Sequence, residues 1–444
     1  MSEIKLNSGQ ESAVKSLYDF LFSNDIAVIL TGAPGTGKSF LINHLIKDII
    51  PKFEEDSKLI GKLNPYYELE TAATTNSAAA NVSSTTNIFT PTVHSLFNLV
   101  LMDDYSTGKS VTIKNRKTWK VKKNTIFIID EYTYINKDLY KLILESVDID
   151  NCKIIFVGDK DQLNPVKENF CIVDTQGFKV IELTEPVRNS EFPPLVELCS
   201  QFRETVNTGV YKDIKLTKGV VDHLTYEEAG KEIDATFTDP KHGNKILAYT
   251  NDAVISYNNY IRDMKNLPNL YTVGEILLVN KPVEVSISGE VKLMSGETEI
   301  EVISASSNVL TYVYKDKVTN SDITMDYYVI RCRLVKNGLE FNTKVPVDTA
   351  YHSNLIKHIA SRKDWVDYFA LKKEFADLRP SDSSTVHKSQ GSTYNTVYID
   401  VGDLTTCNFP KTLSRLFYVG ISRARHRVVF FGDMPEKYGK FYNE

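Results

Sequence analysis

Cysteine is scarce in this chain of 444 residues: Cys152, Cys171, Cys199, Cys332 and Cys407 are all it has. No two form a CxxC pair and the number is odd, so neither a disulfide framework nor a zinc site is supported. A reducing cytoplasm is the expected home. No run of eighteen apolar residues occurs, which leaves no candidate for a membrane-spanning helix. Residues 1–10 are polar and carry no apolar stretch of the kind a secretory signal needs. Positive charge is not in excess either: 52 Lys and Arg stand against 57 Asp and Glu, a net charge of -5. A protein that only coats nucleic acid is usually basic overall. A protein that acts on nucleic acid through one local basic groove need not be. Short-period repeats and low-complexity tracts are absent, and His242, His352, His358 and His426 show no metal-ligand spacing.

The length is too great for one core and fits two or three domains. Residues 26–31 are a short apolar run ending in glycines, and a periodic segment, Phe40 to Ile50, follows. That order reads strand, loop, helix. Apolar runs recur at Thr125 to Ile129, Lys153 to Val157 and Val180 to Leu183, with helical segments between them. Strands alternating with helices imply an α/β fold with a parallel sheet covered on both faces. Near residue 270 the character changes. Short alternating runs such as Ile300 to Ile303 and Val309 to Tyr314, punctuated by Gly274, Gly289, Gly296 and Gly338, read as a small antiparallel, barrel-like β module. Residues 351–378 read as helical, and the α/β pattern resumes after Ser384 with strands at Val397 to Val401 and Val428 to Gly432.

Gly32-Ala-Pro-Gly35-Thr36-Gly37-Lys38-Ser39 fits G-x-x-x-x-G-K-[ST] and sits between the strand and the helix. The glycines let backbone N–H groups turn inward around phosphate oxygens, and the helix beginning near Lys38 adds its positive end. Lys38 is placed to reach the β- and γ-phosphates, and Ser39 to ligate magnesium. A second magnesium carboxylate is expected at a strand end, and Ile126 to Ile129 followed by Asp130-Glu131 supplies it. Asp130 suits the metal shell, and Glu131 suits the orientation or deprotonation of an attacking water. Arginines can stabilise the charge of the transferring phosphoryl group, for which Arg188 and Arg423 are candidates. A glycine-rich turn with an incidental lysine, a solvated acidic turn and surface arginines are the plainer readings of the same residues.

The full set of motifs, in order, resembles superfamily 1 helicases of the RecD-like, 5′→3′ branch, including members from large tailed phages, over about Leu6 to Gly432. The residues carrying the resemblance are Gln10; the loop 32–39; Ala72-Ala-Thr-Thr-Asn-Ser-Ala78; Thr92-Val-His94-Ser95; and Asp130-Glu131-Tyr-Thr133. They continue with Gly158-Asp159-Lys-Asp-Gln162-Leu163-Asn-Pro165-Val166, Leu183-Thr-Glu-Pro-Val-Arg188, and Ala248-Tyr-Thr250-Asn251 with Asn258 and Arg262. Thr385-Val-His387-Lys388-Ser389-Gln390-Gly391 and Tyr418-Val-Gly-Ile-Ser422-Arg423-Ala424-Arg425 complete the series. Three departures stand out: Thr74 and Asn76 where the family's Pro-Thr-His run has Pro and His, Asn164 in place of a proline, and Ser422 where threonine is commoner.

The resemblance implies two RecA-like domains with ATP and magnesium between them, fuelling movement along single-stranded DNA and the opening of fork DNA. It implies an adenine-reading role for Gln10 and a γ-phosphate sensor at Gln162. Arg188 and Arg423 become the arginine fingers. Thr75, Asn76, His94, Thr250, Asn251, Thr385, His387 and Lys388 would line the strand path. The implied layout is a first motor domain over 1–190, a second over 191–270 and 379–444, and an SH3-like β domain with a helical arm over 271–378. A monomer working in DNA replication beside single-strand-binding or replisome proteins is the expected setting.

Residues 98–123 would be an insertion in the first domain. Leu101 to Ile113 has hairpin character around Ser106-Thr-Gly108, and Tyr105, Val111 or Ile113 is the expected duplex wedge. Lys114 to Lys123 follows with six basic residues around Trp119, a candidate phosphate and stacking platform or simply a solvated basic loop. Trp365 and its neighbours Tyr368 and Phe369 read as helix-packing core or as an arm bracing the wedge. Two other functions remain open on the sequence: a P-loop ATPase acting on RNA or remodelling nucleoprotein, and a strand-binding protein with a relic nucleotide site.

Overall fold

The computed structural model describes every residue except 1–5, 62–67, 166, 167, 169, 186–191, 240, 241, 268–270, 288, 295, 307 and 444. Helix α1 (Ser8–Phe22) starts at Asn7, whose side chain accepts from the Gln10 N–H while the Gln10 side chain accepts from the Asn7 N–H. This reciprocal cap satisfies two otherwise orphaned donors. Strand β1 (Ala27–Gly32) is buried along its length and leads into α2 (Lys38–His44), a five-residue π-helical turn (Leu45–Ile49) and α3 (Ile50–Leu59). The lobe continues with β2 (Glu68–Ala73), α4 (Asn76–Thr86), α5 (Val93–Leu96), the hairpin β3 (Leu99–Asp104) and β4 (Lys109–Lys114), β5 (Thr125–Asp130), α6 (Lys137–Glu145), β6 (Cys152–Gly158) and β7 (Lys179–Leu183). Five of these strands form one parallel sheet, ordered β2-β5-β6-β1-β7.

Alternate residues of the central strands feed two cores. Ala27, Ile29, Phe127, Ile129, Ile154 and Phe156 pack on one face, and Val28, Leu30, Ile126, Ile128, Ile155 and Val157 on the other. A strand buried on both faces needs apolar residues at every position, which is why these strands read as unbroken apolar runs. β2 has no such run. Its sequence Glu-Leu-Glu-Thr-Ala-Ala lies at the sheet edge with only its second half buried, so hydrophobicity alone does not reveal it.

The second lobe opens with α7 (Pro193–Thr208), β8 (Ile214–Lys215), β9 (Val221–Leu224), α8 (Tyr226–Thr236), β10 (Lys245–Ala248) and α9 (Asn251–Met264). An insertion then begins with β11 (Ile276–Val279), β12 (Val283–Ile287), β13 (Glu290–Met294) and β14 (Thr298–Ala305). It continues with β15 (Leu310–Asp316), β16 (Ser321–Leu334), β17 (Glu340–Pro346), α10 (Thr349–Ser361), α11 (Trp365–Glu374) and β18 (Leu378–Pro380). The lobe resumes with β19 (Ser383–Thr385), β20 (Tyr394–Asp400), α12 (Val401–Leu404), α13 (Pro410–Ser422), β21 (Ala424–Phe431) and β22 (Phe441–Tyr442), the last paired with β8. Its main sheet is again parallel, ordered β19-β10-β20-β21-β9.

The insertion is an antiparallel sheet ordered β13-β12-β17-β16-β14-β11-β18, with β15 added on β16. It has its own core around Leu277, Val285, Ile300, Ile330 and Phe341. Helices α10 and α11, with Phe375 just after them, bury Leu355, Ile359, Leu371 and the Phe375 ring against Tyr314 and Met325 of β15 and β16. Asp316, 1% exposed, ties this arm down by accepting from Arg362 Nε at 3.1 Å and lying 3.0 Å from His358 Nε2. Among the described residues no helix is long and apolar enough to cross a membrane.

Candidate nucleotide cleft and nucleic-acid groove

The turn after β1 is shaped by glycine. A Cβ on Gly32 would lie 2.7 Å from Thr36 Oγ1 and 2.8 Å from the Leu183 carbonyl, and Gly35 and Gly37 hold φ of 86° and 87°. Gln10 donates through Nε2 to the Thr36 carbonyl at 3.3 Å, so α1 is fastened to this turn. Lys38 Nζ donates to the carbonyls of Gly32 (2.6 Å) and Ala33 (3.1 Å). Burial pulls its pKa down, against the upward pull of Asp159, Glu131 and Asp130. Ser39 is exposed in the first turn of α2.

Asp130 ends β5 and accepts from the Glu131 N–H at 2.9 Å. Its carboxyl is pushed up to about 7, by burial first and then by the Glu131 carboxylate. Glu131 stands in the left-handed region, φ 54°, which costs a residue with a side chain on the order of 1 kcal/mol. Thr74 holds it there: its hydroxyl donates to the Glu131 carbonyl at 2.8 Å and its N–H to the Asp130 carbonyl at 3.3 Å. A proline at 74 could make neither bond, so this departure from the family pattern has a structural use here.

A chain of hydrogen bonds crosses from this wall to the second lobe. Asp159, at 0% exposure, accepts from the Tyr418 hydroxyl at 2.7 Å and from Gln162 Nε2 at 3.4 Å. Gln162 Oε1 accepts from Gln390 Nε2 at 3.1 Å, and Gln390 Oε1 accepts from the Tyr134 hydroxyl at 2.5 Å, with the His387 carbonyl 3.1 Å from that hydroxyl. Arg415 donates to the carbonyls of Lys160 and Gln162. Leu163 is buried in the second lobe's core. Arg423, 4% exposed at the end of α13, donates to Ser422 Oγ at 2.8 Å and the Val419 carbonyl at 3.2 Å. Burial raises the Glu131 pKa, and Arg423 is the foremost charge opposing that rise, followed by Lys38. Arg188 and Val166 lie outside the described residues.

Beside the cleft runs a groove of about 1130 Å³ between the lobes and the insertion. Asn76, Asn251, Thr385 and Lys388 line it; Thr75, His94, Thr250 and His387 are not among its lining residues. Thr75 caps α4 and Thr250 caps α9. Burial lowers the pKa of His94 and of His387, which favours the neutral form of both rings. The insertion touches three of the four lining residues: Gly296 accepts from Asn76 at 3.4 Å, Asn280 accepts from Lys388, and Arg379 donates to Asn251 at 3.1 Å. Directly between the lobes, Asn81 donates to the Gly391 carbonyl at 2.7 Å.

The hairpin β3–β4 turns at 105–108, where Asp104 accepts from Ser106 and Thr107. Its tip rests on the arm. Tyr105 meets Phe369 edge-on at 5.5 Å, Asp103 pairs with Lys373, and a Cβ on Gly108 would overlap the Trp365 ring at 2.3 Å. Tyr105 and Val111 remain 57% and 41% exposed, and Ile113 is half-buried. In the stretch Lys114 to Lys123 the tryptophan turns inward. Trp119 packs on the first lobe's core and donates to Ser146 Oγ at 2.9 Å, while Lys114, Lys122 and Lys123 pair with Glu145, Glu70 and Asp148. Three of the six basic residues are drawn to acids of their own lobe, and Arg116, Lys117 and Lys120 remain exposed. The sequence reading also missed roles for Tyr134, Asp159, Gln390, Arg415 and Tyr418. Four of these five sit inside or beside recognised motifs, but nothing in spacing shows which partner each one meets.

The chain is similar in sequence to known proteins along most of its length. Residues 5–217 match the family model of an AAA domain, and residues 380–431 that of a UvrD-like helicase C-terminal domain. The chain is 23% identical over 460 residues to the ATP-dependent DNA helicase dda of Enterobacteria phage T4, covering 96% of this chain and 99% of that one. It is 22% identical over 426 residues to the ATP-dependent DNA helicase Pif1 of Bdellovibrio bacteriovorus, covering 90% and 83%. A crystal structure of Pif1 helicase from Bacteroides in complex with ADP-AlF3 and ssDNA aligns at a TM-score of 0.45 and 16% identity, over 98% of this chain and 95% of that one.

Proposed function

This chain belongs to the superfamily 1 helicases of the RecD, Pif1 and Dda type, and from that premise we propose that it hydrolyses ATP to move 5′→3′ along single-stranded DNA and part the duplex ahead. The observation that carries the reading is the relay Asp159–Gln162–Gln390–Tyr134, which runs from Asp159, the foremost charge acting on Lys38, to the loop bearing Thr385, His387 and Lys388. A change at the γ-phosphate that moves Gln162 must pull on Gln390, and so on the segment that walls the strand groove. The motor lobes are taken as 1–190 and 191–270 with 379–444, and the insertion as 271–378, with its last strand β18 running on to Pro380.

In this reading Lys38 leaves its carbonyl partners for the β- and γ-phosphates, and Gln10 meets the base. Glu131 orients the attacking water while Arg188 and Arg423 face the developing charge. The donor set suits magnesium: a serine hydroxyl at 39 and the Asp130 carboxylate are hard oxygen ligands, and Asp130 and Glu131 are adjacent carboxyls raised by burial. Bound there, the dication would neutralise phosphate charge. Asn76, Asn251, Thr385 and Lys388 contact the strand, Thr75, His94, Thr250 and His387 hold those contacts in place, and the tip around Tyr105 and Val111 meets the fork.

Unwinding of one duplex carrying either a 5′ or a 3′ single-stranded tail tests this. Strand separation from the 5′ tail alone, absent in Lys38→Ala, is expected. Separation from the 3′ tail alone removes the polarity, and an ATPase indifferent to DNA but stimulated by RNA removes the substrate.

A further inference from the structure

We propose that Phe89 is a stacking platform for a nucleobase of the strand in the groove, an inference that rests on the strand-binding reading above. Phe89 is 85% exposed, and among the described residues no large apolar side chain is more exposed. A solvated phenyl ring leaves unrealised the stabilisation that burial of a large apolar side chain provides. This ring lines the groove, together with Asn76 and Thr92 of its own lobe.

The backbone that carries it is fixed. Asn87 ends α4 with φ 57°, Ile88 packs on the first lobe's core, and Thr90 is 5% exposed. Thr90 N–H donates to Ser83 Oγ at 2.9 Å, its hydroxyl lies 2.7 Å from that of Thr71, and the Pro91 carbonyl accepts from Ala73 N–H at 3.1 Å. Ile88 and Thr90 therefore go inward, and the residue between them is left on the groove side. A ring held on so short and anchored a loop loses little conformational freedom when a flat partner settles on it.

The groove divides by chemistry. Lys388, on the second lobe, offers charge for phosphates, while Arg379 of the insertion is paired with Asp377 at 2.9 Å. Phe89, on the first lobe, offers a face for bases. Trp119, the other aromatic expected to stack, is committed to the core, and Tyr394, which also lines the groove, already has Lys245 over its ring at 5.0 Å. Every base has a π-face, so such a platform is tolerant of sequence.

The test measures anisotropy titrations of the full chain with oligodeoxythymidine and with an abasic strand of the same length. Wild type should bind the base-bearing strand more tightly. Phe89→Ala should weaken that binding about tenfold and leave the abasic strand unaffected, and Phe89→Trp should restore it. Unchanged affinity in Phe89→Ala, or an equal loss on both strands, overturns the stacking role while leaving strand binding intact. Failure of wild type to bind either strand overturns the strand-binding reading itself, and the stacking role with it.

Discussion

The two lobes repeat one arrangement, a buried parallel strand running through a turn into a helix, and they finish it in opposite ways. After β1 the turn ends at Gly37, which offers α2 no side-chain cap, and the N–H groups there are free to receive an anion. After β10 the same place is filled from within. Asp403 Oδ2 accepts from the N–H groups of Tyr249 (2.6 Å) and Thr250 (2.9 Å), and Oδ1 accepts from the Thr250 hydroxyl at 2.7 Å. A carboxylate at the start of α9 does in the second lobe what a phosphate would do in the first. The two strand–turn–helix units thus differ at one place: in the second lobe the helix-start N–H groups are taken by Asp403, and in the first the proposed nucleotide site leaves them open.

The largest expected effect separates the two helix starts directly. Glu131→Gln should lower strand-stimulated ATP turnover by about 10²–10⁴-fold, whereas Asp403→Asn should lower it less than tenfold and show itself in chemical denaturation, as a loss of about 2–3 kcal/mol from its broken charge-assisted bonds. Comparable turnover losses in both would erase the distinction between an open and an occupied helix start.

A smaller effect compares two buried lysines. Lys153 in β6 donates to the carbonyls of Ser23 and Asp25, and Lys245 in β10 donates to that of Ser381. Burial lowers both pKa values, and Lys245 is brought to about 8. Above pH 8 the folded state has released this proton while the unfolded chain still binds it, so stability from this group rises with pH until about 10.4. Between pH 8 and pH 10 wild type should gain roughly 2 kcal/mol relative to Lys245→Met in urea unfolding. A constant difference between the two proteins over that range would show that Lys245 keeps its proton in the fold.

The smallest effect probes the link between lobes. Tyr134→Phe removes one hydroxyl from the relay, worth about 1 kcal/mol, and should reduce the ratio of strand-stimulated to basal turnover about fivefold. An unaltered ratio would mean that the lobes communicate by another route.

What could be read beforehand follows the same division. Phosphate chemistry imposes fixed spacing on glycine, lysine and acid, so residues 32–39 and Asp130-Glu131 declare themselves in the sequence, and the Ser106-Thr-Gly108 turn announces its hairpin. The groove imposes no such spacing. Its walls are short polar residues such as Asn76, Thr92 and Thr385, types found throughout any surface, brought together from lobes hundreds of residues apart. Asp403 looks like any helix-start acid until the fold sets it beside Thr250. Trp119 and Phe89 show the limit most plainly. The tryptophan sits among cations and turns inward, and the phenylalanine sits in an unremarked loop and turns outward, because exposure is decided by neighbours that local sequence does not contain.

The interruption of the second lobe also sets the order in which the molecule can be built. β9 finds its partner in β21, with Val221 opposite Val428, and β10 must wait for Val397 and its neighbours in β20. During synthesis the first lobe and the inserted sheet can each complete their pairing from contiguous chain, but the sheet around β10 cannot. Arg423 emerges just ahead of the strand that finishes that sheet. Such long-range pairing is slow to form, so on the proposed role of Arg423 hydrolytic competence is the last property a nascent chain acquires.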